Sequence, residues 1–139
     1  MSDQGLSLKI CGLTDSNQAS EIAAMGVHAI GVIGVPSTPR FVEPNRRREI
    51  FGRLIREHPR LQRVWVVADP SDDQLASALS GEGQPSVVQL HGEESPQRCA
   101  DLRRLYPGIK WWKALRLRGE ADLTRIDAYG SSVDALLLD

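Results

Sequence analysis

Short β-prone runs alternate with amphipathic, helix-like segments along this chain, and that alternation limits its possible folds more than any other feature. Leu8-Lys9-Ile10-Cys11 is stopped by Gly12, and Thr14-Asp15-Ser16-Asn17 then offers capping side chains. Ile22, Ala23 and Met25 fall at helical spacing before the helix stop Gly26, and residues 27–33 read as a second strand. After a loop rich in Gly and Pro, Glu43-Pro44 opens a helix to about His58. Strands at 64–67, 87–90, 109–114 and 133–138 follow, separated by helices over about 71–79, 96–106 and 120–129. The spacing thus predicts about six strands alternating with five helices.

Strands that alternate with helices imply a parallel sheet covered on both faces, and right-handed crossovers leave two architectures, the open doubly wound sheet and the closed barrel. No Gly-x-Gly-x-x-Gly follows the first strand and no Gly-x-x-x-x-Gly-Lys occurs, so the nucleotide-binding open sheets lose their usual signature. The expected fold is α/β, a parallel (β/α)8 barrel. Each unit takes about 25 residues, so a full barrel needs ~200. At 139 residues the chain is expected to hold one incomplete barrel domain over 1–139, with strands seven and eight and their loops absent. The apolar final run, with no helix after it, fits the same expectation of a truncated chain.

Composition removes several functions. Seventeen basic against eighteen acidic side chains give a net charge of -1, which sets up no field to gather nucleic acid or an anionic membrane. The N-terminal stretch lacks the basic-then-apolar run of a signal peptide, and no apolar stretch approaches ~20 residues. Cys11 and Cys99 are far apart and belong to no Cys-x-x-Cys or His-spaced metal pattern, so two free thiols in a reducing cytoplasm and no metal site are expected. Cys99, beside Ala100 and Leu102, reads as core. Arg46, Arg47, Arg48, Arg53 and Arg56 surround the stripe Ile50, Leu54 and Ile55, and read as a solvated helix face.

In a parallel barrel the chemistry sits where each strand stops. Those positions are Cys11, Arg40 in the second loop, Asp69, His91, Lys113 with Arg116, and Asp139. Cys11 is either a buried structural thiol or a general base, its reference pKa of about 8.5 being close enough to neutral for a thiolate to form. Asp139 is either a strand-end cap or a catalytic acid. Arg40, in a loop stiffened by Pro36 and Pro39, is a solvated loop cation or a bidentate clamp for a carboxylate. His91 donates either to a ligand oxygen or to neighbouring backbone. The direction of Lys113 depends on the register of residues 109–114.

Four motifs together are more specific. Lys9-Ile10-Cys11-Gly12-Leu13-Thr14, Pro36-Ser37-Thr38-Pro39-Arg40, Gln89-Leu90-His91-Gly92-Glu93-Glu94 and Leu136-Leu137-Leu138-Asp139 resemble, in order and spacing, the phosphoribosylanthranilate isomerase family. The resemblance covers the whole chain, corresponding to the first two-thirds or so of that family's single barrel. It implies an Amadori rearrangement in tryptophan biosynthesis, from N-(5-phosphoribosyl)anthranilate to 1-(2-carboxyphenylamino)-1-deoxyribulose 5-phosphate, with a small-molecule phosphosugar–anthranilate substrate and no metal or organic cofactor. It also implies that Asp139 is the general acid and Cys11 the general base, that Arg40 contacts the anthranilate carboxylate, and that His91 lies at the same mouth.

This sequence departs from the family in its second strand, Ile30-Gly31-Val32-Ile33-Gly34, which lacks the usual phenylalanines. Val66-Val67-Ala68-Asp69 likewise replaces a more usual Val-Phe-Val-Asn. Two other readings stand beside the isomerase: another phosphosugar barrel enzyme, which would leave Cys11 without a role, and a non-catalytic partial barrel that associates through open sheet edges. The 139-residue species itself is expected to have little isomerase activity.

Overall fold

The structure, a computed structural model, describes residues 6–139; Met1 and the four residues after it, part of the stretch read above for a signal peptide, lie outside the described residues. Strands and helices alternate as β1 (Lys9–Cys11), α1 (Ser16–Ala24), β2 (Ala29–Ile33), α2 (Pro44–Glu57), β3 (Gln62–Val67) and α3 (Asp72–Ala78). The order continues with β4 (Val87–Leu90), α4 (Pro96–Leu105), β5 (Lys110–Leu115), a short 3-10 turn, α5 (Leu123–Gly130) and β6 (Ala135–Leu138). The helix starts are set locally. Asp15 caps α1 through the Asn17 N–H, Glu43 caps α2 with Pro44 in the first turn, Ser71 and Gln74 form a reciprocal capping box on α3, and Ser95 caps α4 ahead of Pro96.

Each strand pairs in parallel with the next, in the order β1-β2-β3-β4-β5-β6. A doubly wound sheet would place later strands on both sides of the first, so the sequential order selects the barrel geometry. A side-chain bond shows the curl. Lys9 on β1 donates from Nζ to Gln89 Oε1 on β4. Three strand spacings in a flat sheet are about 14 Å, beyond the reach of these two side chains, so the sheet must bend its inner face closed around them. The fold is a curled half-barrel of six strands.

The two faces differ. Toward the helices lies a continuous apolar core that includes Ile30, Val32, Ile50, Phe51, Leu54, Trp65, Val88, Leu90, Trp111 and Leu115. On the inner face a smaller cluster, Ala29, Val64, Val66 and Val87, is joined by Ile33 and Trp112. Cys99 is fully buried in the outer core, as the sequence indicates. Among the described residues no helix is long and apolar enough to cross a membrane.

One sequence expectation needs correction, and one direction left to strand register is settled. The arginines of α2 do not all form a solvated face: Arg47 is 3% exposed, and Arg48 reaches across to donate to the carbonyls of Ser77, Ser80 and Glu82 beyond α3. Spacing explains the first, because Arg47, Ile50 and Leu54 lie three and seven residues apart and share one side of the helix. Lys113, inspected above as a strand-end residue, points outward between helices and is 1% exposed. Its Nζ lies 2.7 Å from Glu94 Oε1 and donates to the Gly92 carbonyl at 2.6 Å. Glu94 also accepts from the N–H groups of Asp69 at 2.6 Å and Gly92 at 3.0 Å, while Tyr129 Oη donates to the Glu94 carbonyl at 2.6 Å.

Removing one member of a buried pair leaves an uncompensated charge, which costs about 3–5 kcal/mol. Lys113→Met and Glu94→Gln should therefore each destabilise the protein by about that amount in urea unfolding, and the double variant by clearly less than the sum. Additive losses would show that the two residues do not act as a pair.

Candidate active site

The C-terminal ends of the strands gather the residues singled out in the sequence. Cys11 ends β1 and is exposed, and side-chain alternation turns it inward with Lys9. Its surroundings are tight. A Cβ at Gly31, the residue paired with Cys11 on β2, would stand 2.8 Å from Cys11 Sγ and 3.3 Å from Lys9 Cε, so only glycine leaves the thiol its place. Gly12 turns the chain at φ +86°, a conformation that glycine adopts without strain. A Cβ there would lie 2.9 Å from Arg40 Cδ and Nη1, so Arg40 crosses directly over the residue that follows Cys11.

The loop that presents Arg40 is fastened at both ends. Thr38 donates through its N–H and its hydroxyl to the Val35 carbonyl, at 3.1 and 2.8 Å, and Val42 N–H returns to the Ile33 carbonyl at 2.9 Å. Beneath Cys11, the Lys9 ammonium stands 5.7 Å from the Trp112 ring centroid in addition to its bond with Gln89. Burial pushes the Lys9 amine below its ordinary value, and the nearby Cys11 thiol pulls it back up.

The other two residues meet on the far side of the mouth. His91 and Asp139 line one cavity of about 350 Å³, together with Arg116, Arg118, Asp122 and Arg125. Asp139 extends the β5–β6 ladder: its N–H donates to the Leu115 carbonyl and its carbonyl accepts from Leu117 N–H, both at 2.9 Å. His91 N–H donates to the Val67 carbonyl at 2.7 Å, and its imidazole is exposed. Asp122 holds the Arg118 N–H at 2.7 Å and lies 3.8 Å from Arg125. Three guanidinium groups face three carboxylates, Glu93, Asp122 and Asp139, beside His91, so this cavity mixes cationic donors and anionic acceptors with no net sign.

The structure therefore brings the sequence candidates together as two pairs, Cys11 with Arg40 and His91 with Asp139. Asp69 plays a different part: at φ +48° it turns the β3–α3 loop, and its carboxylate accepts the Glu93 N–H at 3.1 Å. Lys9, Gln89 and Glu94 lay inside the quoted motifs but had no assigned role. Arg118 and Arg125 were missed, although Arg118 follows the end of β5 by three residues, where strand-end reasoning applies. Among the described residues no group of three or more His, Cys, Asp or Glu side chains is placed to hold a metal ion.

A parallel half-barrel with polar groups on its strand ends defines the class, the C-terminal-face sites of β/α barrels. Residues 8–139 match the family model described as N-(5'phosphoribosyl)anthranilate (PRA) isomerase, and the chain belongs to that family. It is 46% identical over 132 residues to N-(5'-phosphoribosyl)anthranilate isomerase of Gloeobacter violaceus, a match covering 95% of this chain and 58% of the relative.

Solved structures agree. Phosphoribosyl anthranilate isomerase from Thermotoga maritima superposes with a TM-score of 0.82 at 29% identity, covering 97% of this chain and 62% of that one. A phosphoribosyl anthranilate isomerase in complex with reduced 1-(o-carboxyphenylamino)-1-deoxyribulose 5-phosphate gives 0.83 at 29%, covering 97% and 65%. The chain spans about three-fifths of the length of the curated relatives it matches.

Burial pushes the Cys99 thiol up to about 11, whereas Cys11 lies exposed at the mouth. A thiol reagent at about pH 8 should thus modify one cysteine in the folded protein and two in denaturant, and the fast-reacting one should vanish in Cys11→Ser. Rapid labelling of Cys99 in the folded protein would contradict the packing described here.

Proposed function

We propose that this chain forms the acid–base part of an N-(5'-phosphoribosyl)anthranilate isomerase, acting in tryptophan biosynthesis in the cytoplasm. The reading rests on one observation above the rest: the family match runs over residues 8–139, and within it this chain carries a thiol and a carboxylate at the ends of β1 and β6.

In the proposed reaction the Asp139 carboxyl gives its proton to the furanose ring oxygen of N-(5-phosphoribosyl)anthranilate. The bond from that oxygen to C1 breaks, and the ring opens to an iminium between C1 and the anthranilate nitrogen. The Cys11 thiolate then takes the proton from C2, and the released electron pair flows into the iminium to give an enolamine. Tautomerisation moves a proton from the C2 hydroxyl to C1 and leaves the ketone, 1-(2-carboxyphenylamino)-1-deoxyribulose 5-phosphate. One proton is given and one is taken, so the formula is unchanged. The iminium is the electron sink, which is why a base of thiol strength suffices without a Lewis acid.

Arg40 is proposed to hold the anthranilate carboxylate through its guanidinium edge, close to the base, and His91 to donate to a substrate oxygen on the acid's side. The guanidinium groups of Arg116, Arg118 and Arg125 in the cavity around Asp139 offer hydrogen-bond donors to an anionic substrate. In barrels of this class the phosphate sits on loops after the seventh and eighth strands, so the phosphate end is assigned to that part of the relatives' length which this chain does not match.

Turnover of N-(5'-phosphoribosyl)anthranilate by the complete barrel that carries this chain tests the assignment. Cys11→Ala and Asp139→Asn should each lower kcat by ~10²–10⁴-fold with KM little changed. Either variant retaining near wild-type turnover removes that residue from the mechanism. Arg40→Met should instead act mainly by raising KM.

A further inference from the structure

A second set of polar groups lies on the outer side of the sheet, behind the loop that presents Arg40. Arg47 on α2 is 3% exposed, and among the described residues it forms no ion pair and its Nε has no acceptor. Its Cζ stands 4.8 Å from the centroid of the Trp65 ring, a face contact that leaves the in-plane N–H groups of the guanidinium uncommitted. Trp65, 5% exposed, has a buried Nε1 that also lacks an acceptor among the described residues. That nitrogen occupies the space a Cβ at Gly34 would need, so the glycine is what admits the indole here. Arg47 and Trp65 line one cavity of about 350 Å³, together with Pro36 and Phe41 of the Arg40 loop and Asp73 of α3.

Buried N–H groups in folded proteins are almost always paired, and a buried guanidinium without a counter-charge is the costlier case. Burial and the neighbouring Arg48 both lower the affinity of Arg47 for its proton, and Glu43 opposes them. Among the described residues neither donor has an acceptor, and both side chains border the same cavity. We propose that this cavity is a binding site for a small oxyanion, held by the Arg47 guanidinium and the Trp65 indole N–H. The site goes beyond the proposed isomerase activity: it uses none of the residues assigned there and lies behind the Arg40 loop, away from the barrel mouth.

The test titrates the protein with inorganic phosphate, and separately with formate, against chloride at constant ionic strength. The readouts are the melting temperature and the indole N–H resonance of Trp65, assigned by its loss in Trp65→Phe. The expected result is a saturable rise in melting temperature with a downfield shift of that resonance, both retained in Arg40→Met and both lost in Arg47→Met. Arg47→Met keeps the length of the stem and removes an unpaired buried charge, so it should fold, with a melting temperature in chloride at or above that of the parent. A response to either anion that disappears in Arg47→Met supports the site, and which anion acts distinguishes a tetrahedral from a planar ligand. Asp73→Asn should tighten binding several-fold by removing a repelling carboxylate. The proposal is overturned if neither anion moves the Trp65 resonance, if the response survives Arg47→Met, or if Asp73→Asn abolishes the response and destabilises the protein, which would mean that Asp73 is the partner of Arg47.

Discussion

The ion pair between Lys113 and Glu94 ties the rim of this half-barrel together. Lys113 comes from β5 and Glu94 from the loop after β4; through Glu94 the pair also fixes the turn after β3, at Asp69, and meets Tyr129 of α5. Three consecutive strand ends and one helix thus share a single buried charge pair. Such a pair is weak evidence for stability, because dehydrating both ions offsets most of their attraction. Its value lies in specificity: once Lys113 is inside the outer core, only a loop that delivers Glu94 to it is acceptable. His91, in the same loop, is positioned as a consequence.

The two faces of the sheet divide the labour. The helix-facing side holds the large aliphatic and aromatic core, whereas the inner side has a small apolar cluster and a polar column of Lys9, Gln89 and Cys11. Lys9 reaches Gln89 across three strand spacings, so this polar contact helps to set the curvature. The ammonium beneath the thiol is thereby a structural tie and also a cation that interacts with the proposed base.

Most of the architecture was legible from periodicity. Residues 87–90 were read as a strand and are β4 without change, because a run of four buried residues between polar turns has one interpretation. β6 starts at Ala135, two residues later than read, because Asp134 bonds the Trp111 N–H through its carboxylate at 2.7 Å and shapes the entry to the strand. The strand-end rule singles out Cys11, Arg40, His91 and Asp139 as candidates, since it needs only the ends of apolar runs and the loops after them. It could not assign Lys113, whose direction depends on strand register. Nor could composition place Arg47: its charge pointed to solvent, its spacing from Ile50 and Leu54 to the core. Trp65 was equally hidden, because its place depends on a missing side chain at Gly34, one strand away.

The ladder bonds at Asp139 have a mechanical meaning. Both backbone groups of this residue are hydrogen-bonded to the β5 side, so its carboxylate is anchored to the scaffold, while Arg40 stands on a connecting loop. In the proposed reaction the proton donor is thus mounted on the rigid part and the carboxylate clamp on a connection, and the two can be altered separately. Under that proposal, substitutions in the loop over residues 34–43 retune which aromatic acid is accepted without recalibrating the donor, so selectivity and chemistry are open to independent evolution in one small fold.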